Sequence, residues 1–290
     1  MTPGAPAPGM LGTLGPADVL HAIGLVREGV VIDLSLPLDP DVLPRGDPAF
    51  SRPLERSDVM TPAEFQRRAR SGSDGFHLDA FGGSIHQGTH LDGLSHVVHE
   101  GLVFGGYAEE LARTASGWQH VGIETAPPIL VRGVLIDVVG VRAGRPVGGS
   151  EAVTVALLDE SVAATGAHVG AGAAVLIRTG KMRALPETRD TFLNAQPGIA
   201  VDAAVRLADA GMVLLGSDTG GTDPQPVTDW SRTVHVELLT RRGIHLLEWL
   251  VLDPLAEALG ARGRTDFLLV VLPLRIRGAT GSWVRPVAVL

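Results

Sequence analysis

The sequence contains no cysteine. That excludes disulfides, thiolate metal ligands, iron–sulfur clusters and a cysteine nucleophile. Lysine occurs once, at position 181, so the cationic side chains are nearly all arginine. Aromatic residues make up only 4% of the chain, which leaves few candidates for the walls of a binding pocket: Phe76, Phe81, Phe104, Tyr107, Trp118, Trp230 and Trp283. The formal net charge is −8 with scattered acidic residues. Nucleic acid is therefore not an expected partner, because phosphate binding calls for a basic face. The one basic cluster, Arg67-Arg68-Ala69-Arg70, reads as a solvated helix face. No apolar run reaches the ~18 residues of a membrane span. The first residues lack the basic start and continuous apolar stretch of a signal peptide. A cytoplasmic location with no membrane partner is the expectation.

What is present suits a globular domain. Hydrophobic residues are 45% of 290, enough for a full core. Residues 1–15, rich in Pro and Gly, read as a flexible arm, and 16–290 as a single domain. Helical spacing appears over residues 16–28, 61–70, 154–164 and 201–208, with Pro254 opening another helix. Strands are expected at 30–36, 129–139, 174–178, 212–215 and 267–276, and a last one at 284–290. The elements alternate only in part, so the fold class is mixed α/β without a compelled doubly wound order.

Familiar motifs fail on context. Gly170-Ala171-Gly172 precedes a strand, the wrong order for a dinucleotide fingerprint, and residues 216–221 lack the Lys-Ser/Thr pair of a phosphate loop. Ser95 lies beside His96 without a nucleophile elbow around it. The informative segment is Ile85-His86-Gln87-Gly88-Thr89-His90-Leu91-Asp92-Gly93-Leu94-Ser95-His96. Positions 86, 90, 92 and 96 share one parity, which an extended chain projects onto one face. On a helix Asp92 would point about 160° away from His90, and Gly88 and Gly93 also disfavour helix. His90 and Asp92 as strand neighbours sit ~6.6 Å apart, within reach of one ion, whereas His86 would be ~13 Å from His90 on a straight strand. A bend near Gly88 is needed to bring His86 in. Imidazoles and a carboxylate converging on one point suit Zn²⁺, Mn²⁺ or Fe²⁺.

This segment resembles the signature of the cyclase superfamily, which includes bacterial kynurenine formamidase and isatin hydrolase. The resemblance extends to Ile32-Asp33-Leu34-Ser35, to 133–137, to 176–180, to Pro197-Gly198-Ile199 and 216–219, and to His235 and Glu248. It implies the swivelling β/β/α fold of these hydrolases, as a homodimer. It also implies a first metal on His86, His90 and Asp92, with Asp92 bridging to a second completed by His235 and Glu248. One or two divalent ions, Zn or Mn, are expected. His96 would be the general acid/base. The chain departs from the compact formamidases in having Gly93-Leu94-Ser95 between Asp92 and His96 and in its extra length, including 39–75, which places it in a longer branch.

The implied chemistry is hydrolysis of a small amide, formamide, lactam or lactone. A bound metal lowers the pKa of water to ~7 and polarises a carbonyl, and an imidazole returns a proton to the leaving atom. The alternatives are a metal-dependent lyase or cyclase and a non-catalytic metal- or ligand-binding protein. Glu237, sharing strand parity with His235, is an alternative ligand to Glu248, and a turn at Gly243 would return two β segments to the site. His77 and His99 are candidate pocket or rim residues. His21, His120, His168 and His245 read as ordinary histidines, and Asp218 as a positioning or turn residue.

Overall fold

The computed structural model describes residues 8–44, 54–70, 72, 74–188 and 191–290. Nine strands form one sheet: β1 (Val31–Asp33), β2 (His90–Asp92), β3 (Ile129–Asp137), β4 (Ala174–Arg178), β5 (Leu214–Ser217), β6 (His245–Glu248), β7 (Asp266–Val271), β8 (Gly281–Trp283) and β9 (Val287–Val289). Their order is β1-β9-β7-β3-β4-β5-β6-β2-β8. The β3-β4-β5-β6 centre is parallel, and every other pairing is antiparallel. β8 and β9 are seven positions apart in this order, roughly 33 Å in a flat sheet. Four Cα steps, about 15 Å at most, connect Trp283 to Val287. The sheet therefore curls until its two ends approach.

The central strands are buried on both faces and read as continuous apolar runs. On β4, Val175 and Ile177 enter one core while Ala174 and Leu176 enter the other. Gly133 on β3 is required by packing, because a Cβ there would lie 2.4 Å from the Phe267 ring. β7 ends at Val271 rather than continuing to 276, since Pro273 cannot donate to the ladder; Leu272 and Leu274 are exposed.

The α-helices of eight residues or more among the described residues are α1 (Pro16–Ile23), α2 (Pro62–Ala69), α3 (Val155–Thr165), α4 (Val201–Asp209) and α5 (Asp253–Gly260). α1 ends at Ile23 with Gly24 as its C-cap, five residues short of the helix expected to residue 28. α2 starts with a capping box between Thr61 and Glu64, which satisfies two orphan donors. Thr154 caps α3, and Gly166 ends it in the left-handed region at φ 67°. The segment expected as a loose arm divides: residues 1–7 lie outside the described residues, as do 45–53, 71 and 73 of the extra stretch. Gly9–Thr13 forms a 3-10 turn, Leu11 is buried in the core, and the Met10 N–H bonds the Gly243 carbonyl at 2.7 Å. No helix among the described residues is long and apolar enough to cross a membrane.

Candidate metal centre

Alternation on β2 builds half of the site. Leu91 enters one core with its cross-strand partner Leu247. His90 and Asp92 then face the other side, and Glu248 stands directly opposite His90. Gly88 makes the bend that the spacing required, at φ 74°, and carries His86 back so that its Nδ1 lies 2.8 Å from Asp92 Oδ1. Past Gly93 the chain leaves the strand. A turn closed by the His96 N–H on the Gly93 carbonyl, 2.9 Å, folds the His96 ring onto His86 with centroids 3.8 Å apart.

The second half arrives on a different element from the one expected. His235 is not on a strand; it immediately precedes a seven-residue π-helical segment, Val236–Arg242. Val234, Leu238 and Leu239 pack that segment into the core on the His90 side of the sheet. Gly243 ends it at φ 66° and the chain enters β6. His235 Nε2 lies 3.7 Å from Asp92 Oδ2 and 3.4 Å from Glu248 Oε1. His90 Nε2 lies 3.2 Å from Asp92 Oδ1 and 3.6 Å from Glu248 Oε2. Glu237 is corrected as a ligand: its carboxylate pairs with Arg241 at 3.0 Å and Arg242 at 2.8 Å.

All six site residues suggested by the sequence thus converge. Their grouping differs from the implied one. His90, Asp92 and Glu248 form one compact set of ligand atoms; His86, Asp92 and His96 form another. Asp92 belongs to both.

The hydrogen-bond inventory fits a cation. His90 Nδ1 meets the Gly88 carbonyl at 2.8 Å, so a neutral ring donates there and leaves its lone pair on Nε2. That Nε2 is buried without a hydrogen-bond partner, and so is Asp92 Oδ2. Buried acceptors facing one another without a donor are costly, and a metal ion between them removes the cost. The protonation energetics agree. Burial would raise Asp92, but the imidazoles of His96, His86 and His90 hold its carboxyl well below the usual range. Burial opposes charge on His235, yet Glu248, Asp223 and Asp92 hold it up at about 10. Burial also opposes charge on His90, whose pKa the Asp92 and Glu248 carboxylates nevertheless raise. The centre therefore favours positive charge, and nitrogen and carboxylate donors suit Zn²⁺ or Mn²⁺. His96 is different: burial pushes it down to about 3, against the pull of Asp92.

Several contributors carry no sequence signal. Thr280 Oγ1 lies 2.9 Å from His86 Nε2. Thr222 and Asp223 contact Glu248 and His235. Asp218, which the sequence did single out as a positioning or turn residue, accepts the Thr179 and Gly180 N–H groups, while burial raises it to about 6. His245 projects to the opposite face of β6 and contacts the Asp92 backbone carbonyl through Nδ1 at 2.7 Å. Of the other candidates, His77 is exposed, His99 meets Arg241, Phe104 and Trp118 are core, and Phe81 packs edge-on against Trp283.

Gly281 gives His86 its room. A Cβ at 281 would stand 2.9 Å from His86 Cε1 and 3.0 Å from the Leu91 carbonyl oxygen. Gly281→Ala is expected to cost about 1–3 kcal/mol through overpacking and to weaken metal retention. Thermal unfolding with metal analysis checks both; wild-type metal content would remove His86 from the centre.

The "Putative cyclase" family model matches residues 32–224. The chain belongs to the cyclase family. Kynurenine formamidase of Paracidovorax citrulli is 37% identical over 113 residues, 39% of this chain and 46% of that one. The Delftia acidovorans kynurenine formamidase is 39% identical over 115 residues, 40% and 48% of the two chains. The matches span about half the length of these relatives. A solved structure described as a novel cyclase superposes with a TM-score of 0.86 at 26% identity, covering 97% of this chain and 95% of that one. Isatin hydrolase A from Ralstonia solanacearum superposes at 0.65 with 22% identity over 99% of both chains. The mixed α/β architecture is that of the cyclase-family and isatin hydrolase folds.

Proposed function

We propose that this cyclase-family protein is a metal-dependent hydrolase of a small amide, formamide, lactam or lactone. The observation that carries the reading is the pair of buried, unpartnered atoms, His90 Nε2 and Asp92 Oδ2, set among Glu248, His235 and His86. Relatives named as formamidases and isatin hydrolases support hydrolysis of a carbon–nitrogen bond. His90, Asp92, Glu248 and His235 would hold a Zn²⁺ or Mn²⁺ ion. His86 and Asp92 could share a second ion beside it, with His96 left as a non-ligand, so one or two ions fit. Such an ion supplies Lewis acidity toward water and a carbonyl oxygen.

The protein's own groups do the rest. Asp92 and Glu248 provide buried negative charge that retains the cation. His96, uncharged at neutral pH because burial holds it low, takes a proton from the attacking water. It then returns that proton to the leaving nitrogen or oxygen. As a homodimer, the protein would have further cover for the exposed apolar side chains of Leu272 and Leu274.

The test joins metal analysis of the purified protein to turnover of small formamides, lactams and lactones in ¹⁸O-labelled water. Stoichiometric Zn or Mn and one labelled oxygen in the product are expected. Turnover that leaves the label in solvent would assign a lyase or cyclase instead. Turnover undiminished after complete metal removal would overturn the metal dependence.

A further inference from the structure

Residues 218–223 connect β5 to the segment that leads to His235, and none belongs to the convergent set of six. Two of them nevertheless hold two of its members. Thr222 donates to Glu248 Oε1 from its backbone N–H at 2.6 Å and its hydroxyl at 2.7 Å. Asp223 accepts from the Val234 N–H at 2.6 Å, the His235 N–H at 3.2 Å and His235 Nδ1 at 2.5 Å. Both residues are buried, at 0% and 4% exposure, so these bonds compete little with water.

The loop is itself braced. At its start Asp218 accepts from the Thr179 N–H and hydroxyl and from the Gly180 N–H, each at 2.7 Å. Thr219 gives its hydroxyl to the Gly221 carbonyl at 2.7 Å, and its own carbonyl accepts the Trp249 N–H at 3.0 Å. Trp249 directly follows Glu248 and adopts φ 61°, an uncommon conformation for a bulky residue. The bond to Thr219 helps hold that strained step, and with it the end of β6.

Each contact aims a particular atom. A His235 ring that gives its Nδ1 proton to Asp223 keeps Nε2 pointed at Asp92 and Glu248, the nitrogen a metal would need. Glu248 Oε1, held by two donors, leaves Oε2 facing His90 Nε2 at 3.6 Å. Carboxylate partners behind ligating histidines fix tautomer and orientation in this way.

We propose that Thr222 and Asp223 form one positioning element that aims Glu248 and His235 at the cation. The proposal rests on the metal reading above. It explains how His235, at the head of a π-helical segment, and Glu248, on a strand beyond a glycine turn, meet the β2 pair without a continuous element between them.

Three variants, Asp223→Asn, Thr222→Val and Thr222→Ser, test it beside wild type, each protein stripped and titrated with Zn²⁺ against a competing chelator. Unfolding of the metal-free proteins is recorded in parallel, together with visible spectra of the Co²⁺ forms. Asp223→Asn and Thr222→Val are expected to bind Zn²⁺ about 10–100-fold more weakly, with altered Co²⁺ bands and a retained cooperative transition. Thr222→Ser keeps the hydroxyl and should stay within about threefold of wild type on the same scale. If Asp223→Asn fails to fold, the Val and Ser variants decide. Affinities within threefold and unchanged Co²⁺ spectra in both weakened variants overturn the positioning role alone. A wild-type protein that binds no Zn²⁺ and no Co²⁺ overturns the metal reading, and the positioning role with it.

Discussion

Alanine at position 90 is expected to strip the cation from the protein and to take hydrolysis with it. His90 is 1% exposed, and its Nε2 lies 3.2 Å from Asp92 Oδ1 and 3.6 Å from Glu248 Oε2. Removing it takes one imidazole from between two buried carboxylates, leaving His86 beside Asp92 and His235 between the two, a costly loss in low dielectric. A ligand that binds only the folded state stabilises it by about 2.7 kcal/mol at a hundred times its dissociation constant. Metal-loaded wild type should therefore lose several degrees of thermal midpoint to a chelator, while His90→Ala, already without metal, should show no response. Asp92→Ala should behave alike. His86→Ala should be milder, because both His86 nitrogens already have protein partners in Asp92 and Thr280. Metal content by elemental analysis, run beside the unfolding curves, checks the order. A His90→Ala protein carrying a full complement of metal would refute the ligand assignment.

The His90 side of the centre was legible because strand parity is a local rule. His90 and Asp92 needed only a two-residue period, and Gly88 marked where the period had to break for His86 to return. His96 reaches the site by the turn past Gly93 and not by the parity that placed it on the same extended face. The core strands were readable for the same reason: β4 lies on the expected residues because five consecutive apolar or amphipathic side chains suit burial on both faces. The longest expected strand was cut at Pro273, a residue whose missing N–H should have outweighed the apolar run around it.

The His235 side was not legible from pattern. Val234, Val236 and Leu238 alternate with His235 and Glu237, which mimics a strand with the two polar residues on one face. The competing arrangement wins through one contact far away in sequence and through ion pairs and a cap that strand alternation does not show. Thr240 donates to the Val97 carbonyl at 3.0 Å, Arg241 and Arg242 claim Glu237, and Asp223 caps the start through the Val234 and His235 N–H groups. The Thr240 and Asp223 partners lie at no helical or strand spacing, and only the resemblance to the family pointed to His235 at all. Thr222, Asp223 and Thr280 escaped for a related reason. A small polar residue in a loop reads as turn chemistry, and its role appears only when the fold supplies the partner. The packed turn at Gly9–Thr13 is similar: Pro and Gly richness suggested a loose arm, but Leu11 finds a core and Met10 finds Gly243.

His96→Ala is expected to keep metal and fold while losing about 10²–10⁴-fold in turnover, the usual contribution of a general acid–base group. The geometry gives His96 a different place from His90. It hangs on a turn rather than on the strand, stacks against His86, and is only partly buried, so substrate and water can reach it. Burial and the neighbouring imidazoles of His86, His235 and His90 disfavour its charged form, and only Asp92 opposes them. The sign of the pH effect follows. The neutral ring is the proton acceptor, so wild-type activity falls as pH drops through the His96 pKa, which lies below the ordinary histidine value. The alanine variant should lack that acid limb and keep only the residual rate. His86, His96 and Asp92 nevertheless lie close enough together to share an ion, and metal analysis of the variant separates the two roles. Loss of one metal equivalent would make His96 a ligand of the outer set. Unchanged metal with normal turnover would leave the hydrolysis without its proton carrier, and retained metal with the loss of both rate and acid limb is the result the structure leads us to expect.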